Sequence, residues 1–494
     1  MSKKMPIFYS ALLLTGVNLL LRLAGTAFSV YISGKIGPAG VGLLQLVLSV
    51  GGLAMTAGVA GVRTATMYLT AEELGKGRPE HIKWTLSACF TYSIVCSGVV
   101  AGMLYLFAPW VAENWIGDPR TLGAVRLLAA FLPVSCLCGV MTGYFTAANR
   151  IGTLAAVEVA EQACAMTLTL GALRWWAGSD PARACMAVVC GSGVGGCLTL
   201  SLLVLLRLRE HPPAGRRIHV RTRLLDAAVP LALADMLKSG ISTTENLMVP
   251  KRLALYPGEA DPLAAFGTVC GMVFPVLMFP AAILFGLCEL LIPELARYNA
   301  AQSQQRVQYL VRRSLRVGLI YGCFFGALTF LLAEPLCLRL YANAEAGRYL
   351  RLYALLIPML YCDLLTDAMT KGLGQQKACV RYNILTSLLD VIFLFWLLPR
   401  YGMGGYFVSF LITHLLNFIL SLRRLLKISG CSIKLKTPLM AALAGIFAIL
   451  ASGLVSQPVL QGIACTVILG CLLFLFRVLT AEDIRWVKGL VSKS

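Results

Sequence analysis

RLLAAFLP at residues 126–133 returns as RLYALLIP at 351–358, an offset of 225 residues. Each copy opens on arginine, closes on proline and carries a continuous apolar run between them, without the alternation of a half-buried strand. Gly42 maps to Gly267 at the same offset. The charged stretch AEELGKG (71–77) lies downstream of the first glycine. PELARYNA (293–300) lies downstream of the second, with the offset drifting by a few residues. A self-match of this length bears on the whole architecture, because it says that one helical unit is used twice.

The chain around the repeat is an extreme one. Of 494 residues, 58% are hydrophobic and 13% are charged, against about 25% charged in soluble domains. Mean hydropathy is +0.78. A water-surrounded core cannot hide this much apolar surface, which excludes a soluble enzyme, a secreted disulfide scaffold and a disordered chain. Fourteen stretches are long enough to cross a bilayer core of about 30 Å: 7–33, 41–69, 84–108, 122–147, 152–173, 184–206, 225–249, 263–291, 314–333, 349–370, 382–398, 403–422, 437–455 and 459–479. The expected fold is an all-α polytopic membrane protein. A membrane β-barrel is excluded because the runs do not alternate.

The formal charge of +20 is distributed as topology demands. With both ends inside, 29 of the 43 Lys and Arg fall in inner segments and 11 in outer ones, and Arg22, Arg63 and Lys238 lie within spans. Positive charge concentrates on the cytoplasmic side, so the N- and C-termini are expected there. The basic residues are assigned to anionic lipid heads, not to nucleic acid. The N-terminal apolar run is read as an uncleaved first helix because it is too long for a signal peptide.

The offset carries span 2 to span 8 and span 4 to span 10, so the unit is six helices. Six is even, and the copies enter the membrane the same way round, as a parallel repeat. The expected organisation is an N-lobe at 1–206, a basic cytoplasmic linker at 207–224, a C-lobe at 225–427, and helices 13 and 14 with the tail at 428–494. Sixteen of the 17 cysteines lie in or at the ends of spans, and no paired CxxC set occurs. They read as small packing residues, with neither metal nor cofactor expected. His414, inside span 12, reads as a packing histidine.

Ionisable residues within spans are costly and point to wet cavities or to one another. They are Arg22, Arg63, Glu158, Glu161, Asp235, Lys238, Glu245, Asp363, Asp367 and Asp390. In span 1, Thr15, Asn18, Arg22, Thr26 and Ser29 share a face. In span 7, Asp235, Lys238, Ser242 and Glu245 do, and in span 10 Asp363, Asp367 and Thr370. Two readings stand for Asp235 and Lys238: a cavity pair, or an intrahelical ion pair. Glu158 reads either as a cavity residue or as an interfacial one. Asp390 reads as a cavity acid or as a partner for a neighbouring helix. A guanidinium stays charged and grips phosphate in a bidentate fork, which makes Arg22 the first candidate for an anionic ligand and Arg63 and Lys238 the next. Asp235, Glu245, Asp363, Asp367 and Glu161 are the candidate ion-coupling or cavity residues. No DxD, no nucleotide-binding glycine loop and no long outer loop suggests an enzyme.

Seven stretches carry a resemblance to a known family: IGPAGVGLLQL (36–46), GVRTATMYLTAEELGKG (61–77), ENLMVPKRL (245–253), LIPELARYNA (291–300), GRYLRLYALLIP (347–358), KGLGQQ (371–376) and LLPRYGMGGY (397–406). The chain resembles the multidrug/oligosaccharidyl-lipid/polysaccharide exporter superfamily, and within it the stage V sporulation protein B group of polysaccharide-type flippases. The resemblance implies two lobes, fourteen helices and alternating access. It also implies a substrate such as lipid II, a polyprenyl-pyrophosphate-linked sugar of cell wall or spore cortex, in the bacterial plasma membrane. Arg22 sits where related flippases place a pyrophosphate-binding arginine. Glu245 replaces an aspartate common in the family. Implied partners are the lipid-linked saccharide, membrane lipids and a coupling ion, proton or sodium. The alternative from the same superfamily is an ion-coupled antiporter of organic cations or metabolites, which seven acids among the ten in-span charges keep open.

Overall fold

The computed structural model describes residues 7–209, 220–432, 436–455, 457–476 and 478–479; the side chains of residues 7–15 and of Asn18 lie outside that description. The terminal lysines, most of the basic stretch 207–223 and the C-terminal tail therefore fall outside it as well. Every regular element among the described residues is helical. The chain divides into two compact units, Met1–Gly267 and Thr268–Ser494.

The first unit holds α1 (Ile7–Val59), α2 (Val62–Gly75), α3 (Ile82–Leu106), α4 (Leu122–Ala147), α5 (Ile151–Ala172), α6 (Pro181–Leu208), α7 (Arg221–Leu253) and α8 (Pro262–Gly267). The second unit contains α9 (Phe274–Met278), α10 (Ala281–Ala300), α11 (Gln304–Tyr341), α12 (Ala344–Ala354), α13 (Ile357–Gly372), α14 (Gln376–Ser429), α15 (Lys436–Ser452) and α16 (Pro458–Leu475). Among the described residues, eight helical stretches are long and apolar enough to cross a membrane, and two more bent pairs qualify as single spans. Two of the eight are double crossings. α1 breaks at Gly37 (φ 69°, ψ 177°) and α14 at Gly402 (φ 57°, ψ −140°). Counting their limbs separately, and adding α7 and the 17-residue α15, gives the fourteen segments read from hydropathy. α7 misses the apolar criterion because its charges sit mid-helix.

Spans 1 and 2, and 11 and 12, are thus joined by a single glycine instead of a loop. At φ near +60° with an extended ψ, a Cβ would clash with its own backbone, so only glycine takes the position without strain. Prolines bend two spans. The segment ending at Met278 meets α10 at 62°, beside Pro280, and α12 meets α13 at 59°, just before Pro358. Pro133, Pro230 and Pro250 instead lie inside continuous helices.

The core of the first unit joins Val62 and Leu69 of α2, Cys89 of α3, Phe145 of α4, Leu203 of α6 and Ala228 of α7. Small residues bring these helices close. A Cβ on Gly191 of α6 would stand 2.2 Å from the Thr169 hydroxyl of α5, a backbone approach typical of membrane bundles. Gly42 and Gly267, related by the 225-residue offset, pack on each other. A Cβ on Gly267 would lie 2.0 Å from the Pro38 carbonyl oxygen and 2.5 Å from the Gly42 nitrogen. In the second unit, Ala441, Ala444 and Ala448 of α15 and Cys465 and Leu469 of α16 pack on Cys323, Ala327 and Leu331 of α11. The two C-terminal helices are seated on that helix.

Candidate functional site

In the first unit the polar residues converge on α5. Gln162 reaches the first limb of α1, where its Nε2 donates to the Leu21 carbonyl at 3.4 Å. Arg22 is the next residue along, with an accessible side chain. One turn back on α5, Glu158 lies within electrostatic range of Arg63. Arg63 stands in the first turn of α2, just after Ala60 and Gly61 turn the chain through positive φ (44° and 72°). Its backbone packs on α4, where a Cβ on Gly143 would meet the Arg63 carbonyl at 2.5 Å. α5 therefore touches the helix that carries Arg22 and presents Glu158 to Arg63. Glu161 turns elsewhere: its Oε2 accepts from the Thr199 hydroxyl of α6 at 2.7 Å, which ties α5 to α6.

α7 runs along the second limb of α1. The Thr243 hydroxyl donates to the Ser49 carbonyl at 3.1 Å, and Asn246 Nδ2 donates to Ser49 Oγ at 3.0 Å. Asp235 and Lys238 are accessible on this helix, and among the described residues no ion pair joins them. Their i, i+3 spacing brings the charges to one face without closing a bridge. Glu245 is half-buried one residue before Asn246. At the far end of α7, Arg223 is clamped by Glu72 Oε2 at 2.5 Å and Glu73 Oε1 at 3.0 Å, both from α2. Glu73 is 3% exposed and also faces His81 Nδ1 at 3.1 Å.

The second unit has a cavity of about 360 Å³ within its own helices, with a mainly apolar wall that carries a cluster of polar side chains. Asp363 and Asp367 of α13, Asn383, His414 and Asn417 of α14, and Phe410 line it. Asn417 Nδ2 donates to Asp363 Oδ2 at 3.2 Å. Asp363 Oδ1 and Asn417 Oδ1 are buried without a protein partner. Asp367 pairs with Lys371 at 2.5 Å. His414 stacks on Phe410 with ring centroids 3.8 Å apart, and its Nδ1 faces the Phe410 carbonyl at 3.0 Å. Asp390 is not in this cavity. It accepts from the Ser409 hydroxyl at 2.5 Å and the Thr413 hydroxyl at 3.2 Å, bracing the two limbs of α14 against each other. Asn383, His414 and Asn417 escaped the sequence reading as cavity residues. The signal was present in part, since His414 and Asn417 are i, i+3 on a helix face, but which helix that face meets is not a local property.

Residues 8–235 match the family described as Polysaccharide biosynthesis protein, and residues 230–396 match the family MatE. The chain is 23% identical over 446 residues to Stage V sporulation protein B of Bacillus subtilis (strain 168), covering 88% of this chain and 86% of the relative. It is 22% identical over 284 residues to Sporulation protein YkvU of the same organism, covering 53% of this chain and 61% of that relative. In fold it is similar to lipid II flippase MurJ in an inward closed conformation, with TM-score 0.69, 12% identity, and 94% of this chain and 99% of that one covered. It is equally similar to the inward-facing conformation of a multidrug resistance MATE family transporter, with TM-score 0.68, 12% identity, and coverage of 85% and 100%. The helices, the two partial family matches and the shared fold agree: this multi-pass membrane protein resembles the multidrug/oligosaccharidyl-lipid/polysaccharide exporters, and among them the stage V sporulation protein B group.

Proposed function

We propose that the chain is a flippase for polyprenyl-pyrophosphate-linked saccharides, a lipid II-like precursor of cell wall or spore cortex, working by alternating access in the bacterial plasma membrane. Its termini lie in the cytoplasm, and its lobes are 1–206 and 225–427, joined by the basic linker 207–224 and followed by the helices and tail of 428–494. The observation that carries this reading is Arg22, an accessible guanidinium in the middle of a membrane-crossing helix. Such a charge is costly in lipid and is retained where an anion meets it. Arg63 supports the same chemistry from the N-terminal turn of α2, where the helix end itself favours anions. Glu158 neutralises Arg63 while no substrate is bound, and a pyrophosphate displaces it. Lys238 supplies a further cation on α7, with Asp235 and Glu245 as its acidic neighbours. The kinship with Stage V sporulation protein B and the fold shared with a lipid II flippase favour this substrate class.

Coupling to a proton or sodium ion belongs to the second-unit cavity. Two orphaned buried oxygens, Asp363 Oδ1 and Asn417 Oδ1, are a donor set that fits either ion. Asp363 and Asn417 would hold it, with Asp367 kept in place by Lys371. Glu161 is a bracing residue on α5, through Thr199.

The same acidic, aromatic cavity, with Phe274 and Phe410 beside Asp363, supports a second reading: an antiporter of organic cations or metabolites. Native mass spectrometry of the purified chain with lipid II and with an organic cation separates them. Flippase chemistry predicts retention of lipid II, weakened roughly tenfold to a hundredfold in Arg22→Ala by loss of a charge-assisted hydrogen-bond pair. Retention of the cation alone, lost in Asp363→Asn and untouched in Arg22→Ala, would replace the flippase with the antiporter.

A further inference from the structure

The first limb of α1 and α5 touch at Gly25, where Gln162 Nε2 lies 3.5 Å from the position of an added Cβ. Beyond that point, between Ala24 and Tyr31 on α1 and Met166 and Trp176 on the other side, lies an open groove of about 1040 Å³. Its floor is almost wholly apolar: Ala24, Ala27, Phe28, Leu170 and Gly171 are among the residues that form it. At the far end the chain makes a wide turn over Leu173–Ala177, closed by the Gly178 N–H donating to the Leu173 carbonyl at 3.1 Å. The wide turn throws Arg174, Trp175 and Trp176 outward; Trp175 is 85% exposed. On α1 the same groove is lined by Tyr31, and Lys35 follows one turn on, its Nζ 5.9 Å from the Tyr31 ring centre.

The geometry points to a binding site for a phospholipid with an anionic headgroup, its acyl chain in the α1–α5 groove and its head between Lys35 and Arg174. Three features carry this. The groove runs along the last seven residues of α5, Met166–Ala172, about 10 Å at 1.5 Å per residue, and continues over the wide turn to Trp176, which together approach one leaflet of the hydrocarbon core. Tryptophan and tyrosine gather at one end only, as they do at a membrane–water interface. Both cations at that end lack a carboxylate partner among the described residues, so their charge is offered to a headgroup. The chain fills the wedge between the helices above the Gln162–Leu21 hydrogen bond, and so braces the limb that carries Arg22. This site is separate from the substrate reading and does not depend on it.

The test is native mass spectrometry of the full chain in detergent, titrated with phosphatidylglycerol and phosphatidylcholine of the same chain length. Retention of phosphatidylglycerol should exceed that of phosphatidylcholine and fall about fivefold for each cation removed in Lys35→Ala and Arg174→Ala. Ala27→Trp should lower retention of both lipids by filling the groove. Ala27 is accessible, so the added bulk enters the groove and not a packed core, and an unchanged melting temperature checks that. Equal retention of the two lipids by the native chain would overturn the site, as would phosphatidylglycerol binding unaltered in all three variants. Displacement of phosphatidylglycerol by polyprenyl phosphate would overturn it too, by making the groove a seat for the carrier lipid.

Discussion

Gly267→Ala is the sharpest probe of the fold. Its Cβ would enter at 2.0 Å from the Pro38 carbonyl oxygen and 2.5 Å from the Gly42 nitrogen. Both obstacles are backbone, so no rotamer change relieves them, and α8 must move by an ångström or more relative to α1. Overpacking costs about 1–3 kcal/mol, and a two-sided backbone clash lies at the upper end. The gain in helix propensity from Gly to Ala, about 1 kcal/mol at most, offsets part of it. The net is a loss of about 2 kcal/mol, which lowers the melting temperature of the detergent-solubilised protein by roughly 2–4 °C. Gly42→Ala should act alike, because its Cβ would meet the Leu263 carbonyl at 2.3 Å. The double variant should cost less than the sum, since one displacement relieves both clashes. Gly98→Ala on α3 is the control: a Cβ there meets nothing within 4 Å, and the variant should be as stable as the native chain or more so. Thermal unfolding followed by tryptophan fluorescence reads all four. A Gly267→Ala protein that melts with Gly98→Ala would refute the close approach of the paired glycines.

Arg223→Ala leaves the buried Glu73 facing His81 alone and should destabilise by about 1–2 kcal/mol, less than a fully buried pair because the guanidinium is 38% exposed; denaturant titration measures it, and no change would mean that solvent replaces the clamp. Asp390→Ala should cost about 1–3 kcal/mol by removing the carboxylate acceptor of the buried Ser409 hydroxyl and leaving the Thr413 hydroxyl to the Ser409 carbonyl of its own limb, while Asp390→Asn keeps an acceptor and should cost less. Equal melting of the two would remove the brace between the limbs of α14. In the loop before α4, Arg120 donates to Asp118 from its backbone N–H at 2.9 Å and from its guanidinium at 2.7 Å. Those bonds, chiefly the guanidinium's, hold the Asp118 carboxyl below its usual 3.8. A lowered carboxylate stabilises the fold above that usual value, and the contribution is lost as pH falls through the lowered one. Asp118→Asn should therefore melt below the native chain at pH 6 and converge with it in strong acid; a constant gap would refute the assignment.

Much of this was legible in the linear chain, for a physical reason. Lipid imposes a one-dimensional rule: about 20 apolar residues per crossing and charge at the ends, so spans and polar stripes appear without knowledge of packing. The 225-residue offset identified Gly42 and Gly267 as equivalent before anything indicated that they touch. Arg22, Asp235 and Lys238 were visible because a charge amid apolar residues stands out. What tertiary structure decided was partnership. Glu161 and Glu158 are one turn apart and look alike in sequence, yet one bonds Thr199 and the other faces Arg63. Asp363 and Asp390 are both intramembrane acids, yet one lines a cavity with two orphaned oxygens and the other braces its own helix across a kink. His414, plain in sequence, became a cavity residue once α13 lay against α14. Hydropathy is a property of each residue alone and survives in the sequence. A hydrogen bond belongs to two residues, often more than a hundred positions apart, and exists only when the helices have chosen their neighbours.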